Sequence, residues 1–218
     1  MQTTGADRFS FLQEIRLVIR IISLSLHDIW EDVWSVLVIN LVWTVCVLLI
    51  IPGPPATLAL FGFANRLAHG EVADLNDFFK GFRQSWAPAW RWGAINLFVI
   101  AIFIGDILLS NQENMDVSVS TIMQSFYIAA LVIWLLLQIF VLSFMIEQEQ
   151  PIVRTAFRNS ILMLGKNFSF SIVFGLTVII TLLIGTVLFM ITFAIGGVLL
   201  ADVGNRAVIF NLERNKQV

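Results

Sequence analysis

Long uncharged runs alternate with short segments that carry most of the charge. The first run, Val33–Asn65, has 33 residues without a charge or a histidine, and Pro52-Gly53-Pro54-Pro55 breaks it near its middle. One straight helix of that length would measure about 50 Å, against a hydrocarbon core of about 30 Å. Prolines lack the N–H donor and disfavour helical backbone in the residue before them, so a helix must end or kink there. The pattern predicts two helices joined by a tight turn inside or at the edge of a membrane. Pro52, Pro54 and Pro55 would stop the helix, and Gly53 could supply a positive φ.

Three further runs follow. Pro88 opens an apolar helix reaching about residue 109, which ends at the polar segment Ser110–Ser120. Residues 117–146 are uncharged up to Glu147, and Phe168–Ala201 gives 34 residues without charge or histidine. The last run is again too long for one straight crossing, with Gly196-Gly197, or a point near Gly185, as the expected turn. Between the runs lie amphipathic pieces. In residues 9–30, Gln13, Arg16, Arg20, Ser23 and His27 recur at spacings of three and four, so they share one side of a helix. With arginines inside the apolar region and no small-residue cleavage pattern, this is an interfacial helix rather than a signal sequence. The same pattern would suit a partner-binding helix. Asp74 is the expected N-cap of a short helix carrying Phe78, Phe79, Phe82 and Trp86. Pro151 is the expected first residue of a second such helix, with Arg154 and Arg158 on one face.

The fold class read from this pattern is all-α: a polytopic membrane helix bundle of about six crossings, two of them tight hairpins, plus amphipathic cytoplasmic helices. A single integral membrane domain spans 1–218. It divides into an interfacial helix (1–32), a Pro-broken hairpin (33–65), a basic-aromatic segment (66–91), two crossings (92–146), an amphipathic helix (147–167), a hairpin (168–205) and a tail (206–218). Composition agrees, with 58% hydrophobic and 13% charged residues, where soluble domains carry about 25% charged. A net charge of −2 gives no support for nucleic-acid binding. The single cysteine, Cys46, sits inside an apolar run and leaves no disulfide framework.

Charge asymmetry sets the expected orientation. With six crossings and both termini in the cytoplasm, all 13 Lys and Arg residues fall on the cytoplasmic side. The outer loop near Asn111–Ser120 holds Glu113 and Asp116 but no cation. A single first crossing would send residues 66–91 outside and destroy the asymmetry. A faint internal echo accompanies this plan. Phe82-Arg83-Gln84-Ser85 and Phe157-Arg158-Asn159-Ser160 each precede a membrane helix, and Asn65-Arg66 and Asn205-Arg206 each close a hairpin, which suggests a two-part layout.

The first third resembles the YesL-like family of bacterial integral membrane proteins of unknown function. The residues that carry the likeness are an N-terminal amphipathic helix, Asn40 near the middle of an apolar helix, the step Gly53-Pro54-Pro55-Ala56-Thr57, Arg66 closing the next helix, and the segment Phe78 to Phe82. The match covers roughly residues 30–86. It implies a location in the bacterial cytoplasmic (inner) membrane and an accessory role beside carbohydrate uptake systems. No catalytic residues are known for the family, so none carry over.

No phosphate-binding glycine loop, dinucleotide fingerprint, nucleophile elbow or zincin helix is present. His69, Glu71, Asp74 and Asp77 could in principle hold a divalent metal, but their spacing is loose and a solvated loop explains them better. The polar residues at membrane depth, Asn40, Asn96 and Gln138, lie in three different predicted helices. They read first as interhelical hydrogen-bond partners, and second as the lining of a solute path. Thr177, Thr181, Thr186 and Thr192 can bond their own helix backbone. Arg83 and Arg158 are the candidates for lipid phosphates or an acidic partner surface. The expectation is a non-enzymatic membrane protein with no cofactor and no metal. Its partners would be the lipid bilayer and another membrane protein complex such as a carbohydrate transporter; the alternative is a small transporter or channel.

Overall fold

A computed structural model describes the backbone over residues 11–110, 116–187 and 189–216, and side chains over 13–110, 116–183 and 196–213. Arg8, the loop residues 111–115 and the side chains of Thr186, Thr192, Arg214 and Lys216 therefore lie outside the described residues. The described chain is an all-α bundle without strands. Its helices are α1 (Phe11–Glu31), α2 (Val33–Leu48), α3 (Gly53–Ala68), α4 (Leu75–Gln84), α5 (Trp86–Leu109), α6 (Val117–Ile146), α7 (Val153–Lys166), α8 (Phe168–Val187) and α9 (Phe189–Lys216).

At the centre, α3, α6 and α9 pack against one another. Asn65 near the end of α3 donates to Glu147 at the end of α6 (2.5 Å); along α9, Gly197 packs on Trp43, which bonds Thr57 early in α3, and Asn205 further on donates to the Phe61 carbonyl later in α3 (2.9 Å). The three therefore run parallel. Each carries one amphipathic helix on its flank, α4 on α3, α7 on α6 and α1 on α9, and each of these leads into an outer helix, α5, α8 and α2. The pattern thus repeats three times, with α9 joining the N-terminal α1 and α2. The sequence echoes fall at matching places in it. FRQS and FRNS belong to α4 and α7, and the Asn-Arg pairs to α3 and α9, so the layout is threefold where the sequence suggested two parts.

Burial separates these layers. Ten of the sixteen residues of α3 are buried, among them Leu58, Phe61 and Phe63, as expected of a helix that is apolar all round. On α5 only Ala89, Gly93 and Asn96 are buried, while Leu97, Phe98, Leu108 and Leu109 are exposed. So much exposed apolar surface needs a cover other than water, and hydrocarbon suits it. By length and composition α5 and α6 can each cross a membrane, and two bent pairs qualify when each is taken as one span. These pairs are α1 with α2, bent by 97°, and α7 with α8, bent by 106°. The helices are those of a membrane protein.

The first hairpin is present, but its turn is made differently from the expectation. Leu48 ends α2, and the residue with positive φ is Ile50 (63°), not Gly53. Gly53, Pro54 and Pro55 form the first turn of α3, where missing N–H donors cost nothing because those positions have no helical acceptor. The prolines therefore start α3 rather than stop α2. Trp43 of α2 closes the hairpin by donating to the Thr57 hydroxyl of α3 (3.1 Å).

Three other boundaries move. Gly196-Gly197 is no turn. It lies inside α9, and α8 and α9 separate only at residue 188, outside the described residues and close to Gly185. Gly197 is needed for a close approach instead, since a Cβ there would sit 2.8 Å from the Trp43 ring of α2. The expected tail from 206 continues α9 to Lys216. Pro88 is the third residue of α5, and Pro151 precedes α7, which begins at Val153 after Ile152.

Candidate functional site

Buried polar side chains gather in three places. The first joins α5 to α6. Gln138 Oε1 accepts from Trp92 Nε1 (3.0 Å) and Asn96 Nδ2 (3.2 Å), and Asn96 Oδ1 accepts from Trp134 Nε1 (3.0 Å). The amide nitrogens also bond their own helices: Asn96 donates to the Trp92 carbonyl and Gln138 to the Trp134 carbonyl. The structure thus brings Asn96 and Gln138 together, and adds two indole donors that only tertiary packing supplies. A satisfied amide network of this kind fastens two helices.

Asn40 is not part of it. It is buried on α2, and its Oδ1 accepts from the backbone N–H of Gly197 on α9 (2.9 Å). The close approach at Gly197 makes that contact possible. Thr177 and Thr181 bond their own helix, to the carbonyls of Val173 (2.7 Å) and Thr177 (2.9 Å).

The third place lies where α1 meets α9, and sequence reasoning missed it. Arg206, placed in the solvated tail by the pattern, is buried. It pairs with Asp28 of α1 and, through Nε, with Asp202 one turn earlier on its own helix (3.1 Å). Asp202 and Ser25 are fully buried, and the Ser25 hydroxyl of α1 faces Asp202. The Asp202-x-x-x-Arg206 spacing was the available signal, an i,i+4 pair on one helix face. A buried guanidinium between two carboxylates fixes α1 on the bundle, because each ion depends on the others.

At the same end of the bundle, Asp74 caps α4 in a reciprocal box with Asp77. Arg66, on the last turn of α3, reaches Asp77 (2.6 Å) and Glu71 (3.1 Å). The backbone N–H of Asp74, and then Arg66, hold the Asp77 carboxyl below its ordinary range. The four residues weighed as a metal set are thus spread over caps and ion pairs. Among the described residues no three His, Cys, Asp or Glu side chains converge on a point. Arg83 on α4 and Arg158 on α7 are exposed, and neither makes an ion pair or side-chain hydrogen bond with the described residues. Pro52, Gly53, Pro54 and Pro55 lie in the hairpin turn and first turn of α3, away from all these clusters.

Among the described residues, the amide, indole and ion-pair contacts of these clusters chiefly join one helix to another.

Residues 36–107 match a family described as proteins of unknown function, DUF624. That stretch runs from α2 through most of α5 and includes the proline step, the Arg66–Asp77 pair and α4. No curated protein and no solved structure matches the chain significantly.

Proposed function

We propose that this is a non-enzymatic, multi-pass membrane protein that assists or regulates another membrane complex. Its family would be the YesL-like one, its location the bacterial cytoplasmic membrane, and its partner class, by that resemblance, a carbohydrate transporter. Six crossings with both termini in the cytoplasm accompany the proposal, on the Lys/Arg asymmetry.

One observation carries the reading. The two short helices α4 and α7 lie at one end of the bundle and present Arg83 and Arg158 without a counter-ion among the described residues. Phe79 beside the first, and Ile161 and Leu162 beside the second, are exposed large apolar side chains. Cations next to exposed apolar groups suit a docking face better than a solvated one. The test is purification in mild detergent of the wild type and of R83E/R158E. A partner complex that stays with the wild type and is lost from the variant supports docking. A monomer without a reproducible partner, or a partner retained equally by both, overturns it.

The buried Asp28–Arg206–Asp202 cluster favours a second reading, a small transporter or channel, since ionisable groups inside membrane proteins commonly mark ion or solute paths. Solute flux in liposomes that disappears in D202N would establish it. Absence of flux across sugars, amino acids and monovalent ions would remove it.

A further inference from the structure

We infer that the groove between α5 and α7 is a binding site for one anionic phospholipid. The groove has a volume of about 490 Å³ and is lined by Arg91 and Ile95 of α5, by Val153, Arg154 and Phe157 of α7, and by Ile152. Two guanidinium groups from different helices face it, and no carboxylate lines it. Neither arginine has an ion-pair partner among the described residues, so the site carries two positive charges that no described side chain pairs with. Guanidinium forks match phosphate oxygens in geometry as well as charge.

The apolar part identifies the ligand as a lipid rather than a free anion. Starting at Arg91, the residues at four, seven and eleven positions further along α5 are Ile95, Phe98 and Ile102, which lie on one face. All three are exposed, by 40%, 68% and 46%. From Arg91 to Ile102 the helix rises about 17 Å, close to half of a hydrocarbon core of about 30 Å. A cationic head followed by an apolar stripe one leaflet long has the outline of a phospholipid. Trp90 and Trp92 flank Arg91 at the level where indoles favour the headgroup region. The floor is held firmly. Phe157 stacks on Trp134 (5.5 Å between centroids), and Trp134 is itself bonded to Asn96.

This inference rests on the membrane reading, which alkaline carbonate extraction tests separately: release of the chain from membranes would remove both, whereas retention leaves the lipid site to be judged alone. The full chain, purified in detergent, is titrated with phosphatidylglycerol and with phosphatidylcholine, and adducts are counted by native mass spectrometry. We expect one phosphatidylglycerol bound in preference to phosphatidylcholine. Removing two arginine contacts, each worth about fivefold, should weaken binding about twenty-five-fold in R91Q/R154Q. R16Q/R20Q, which removes the same charge from α1, should bind as wild type does. Helical content by circular dichroism identifies any variant that has not folded, and R91K/R154Q then replaces it. Equal retention of the two lipids, an equal loss in R16Q/R20Q, or displacement by millimolar inorganic phosphate would each overturn the site. The first would mean a bare hydrophobic groove, the second a diffuse charge effect, and the third a site for the free anion.

Discussion

Ile50 occupies left-handed backbone, with φ at 63°, in the turn between α2 and α3. A β-branched side chain there is strained, at about 1–2 kcal/mol, and this one is 67% exposed, so it loses little packing when removed. I50G should therefore raise the thermal midpoint or leave it level, despite deleting an apolar residue from an apolar run; a clear fall would show that the side chain has a partner in the bilayer. Arg206 is the opposite case. R206Q leaves Asp202 buried and Asp28 half-buried without their cation, and breaking a buried pair commonly costs about 3–5 kcal/mol. We expect R206Q to be poorly recovered and D28N/D202N/R206Q to recover much of the loss, because the neutral triple variant leaves no buried charge behind. A triple variant no better than R206Q would mean that the guanidinium acts through packing alone. Neither residue was legible in the sequence. Strain at Ile50 appears only in dihedral angles, and Arg206 beside Asp202 reads as an ordinary solvated pair until α1 covers it.

The amphipathic helices are where local sequence rules held best. Asp74 caps α4 as expected, and Asp77 three residues later completes the box. The turn of the proline hairpin was misread because prolines suit both the end of one helix and the first turn of the next, and the sequence does not say which. Asp77 also ties α4 to α3 through Arg66. Its carboxyl titrates below the ordinary range, chiefly because the Asp74 N–H donates to it and then because of Arg66. A carboxylate depressed in the folded state contributes stability that is present above its unfolded pKa and lost as pH falls through its folded value. Protection of the α4 amides, taken as exchange relative to the unfolded chain at the same pH, should thus fall on acidification below the ordinary carboxylate range. In D77N protection should already be low at neutral pH and change little with acid. Identical profiles for the two proteins would mean that α4 is held by Phe78, which is buried, and not by the charge.

At the scale of the whole molecule, parallel packing of α3, α6 and α9 is a result that no run of sequence contains. Apolar runs give the number and approximate length of helices, whereas their arrangement depends on small contacts such as Gly204. A Cβ there would come 2.5 Å from Ile139 and 3.0 Å from the Ser143 hydroxyl, so α6 and α9 meet at a distance only glycine allows. The parallel core makes a topological prediction stronger than charge counting alone. Asn65 at the end of α3 bonds Glu147 just after α6, and Asn205, past the middle of α9, bonds the Phe61 carbonyl of α3, so positions beyond α3 and α6 and in the last turns of α9 must share one side of the membrane. Single cysteines at Glu71, Glu149 and Glu213, in a background with Cys46→Ser, should all react with an impermeant maleimide only from the cytoplasmic side. A cysteine at Asp116, at the start of α6, should react only from the other side. The Lys and Arg distribution chooses which side is which, while the helix contacts require that the three positions agree. If Glu71→Cys labelled from the side opposite Glu149→Cys, the parallel core would be wrong whatever the charges favour. If all four labels were consistent with one another but inverted, the core would stand and only the orientation would change.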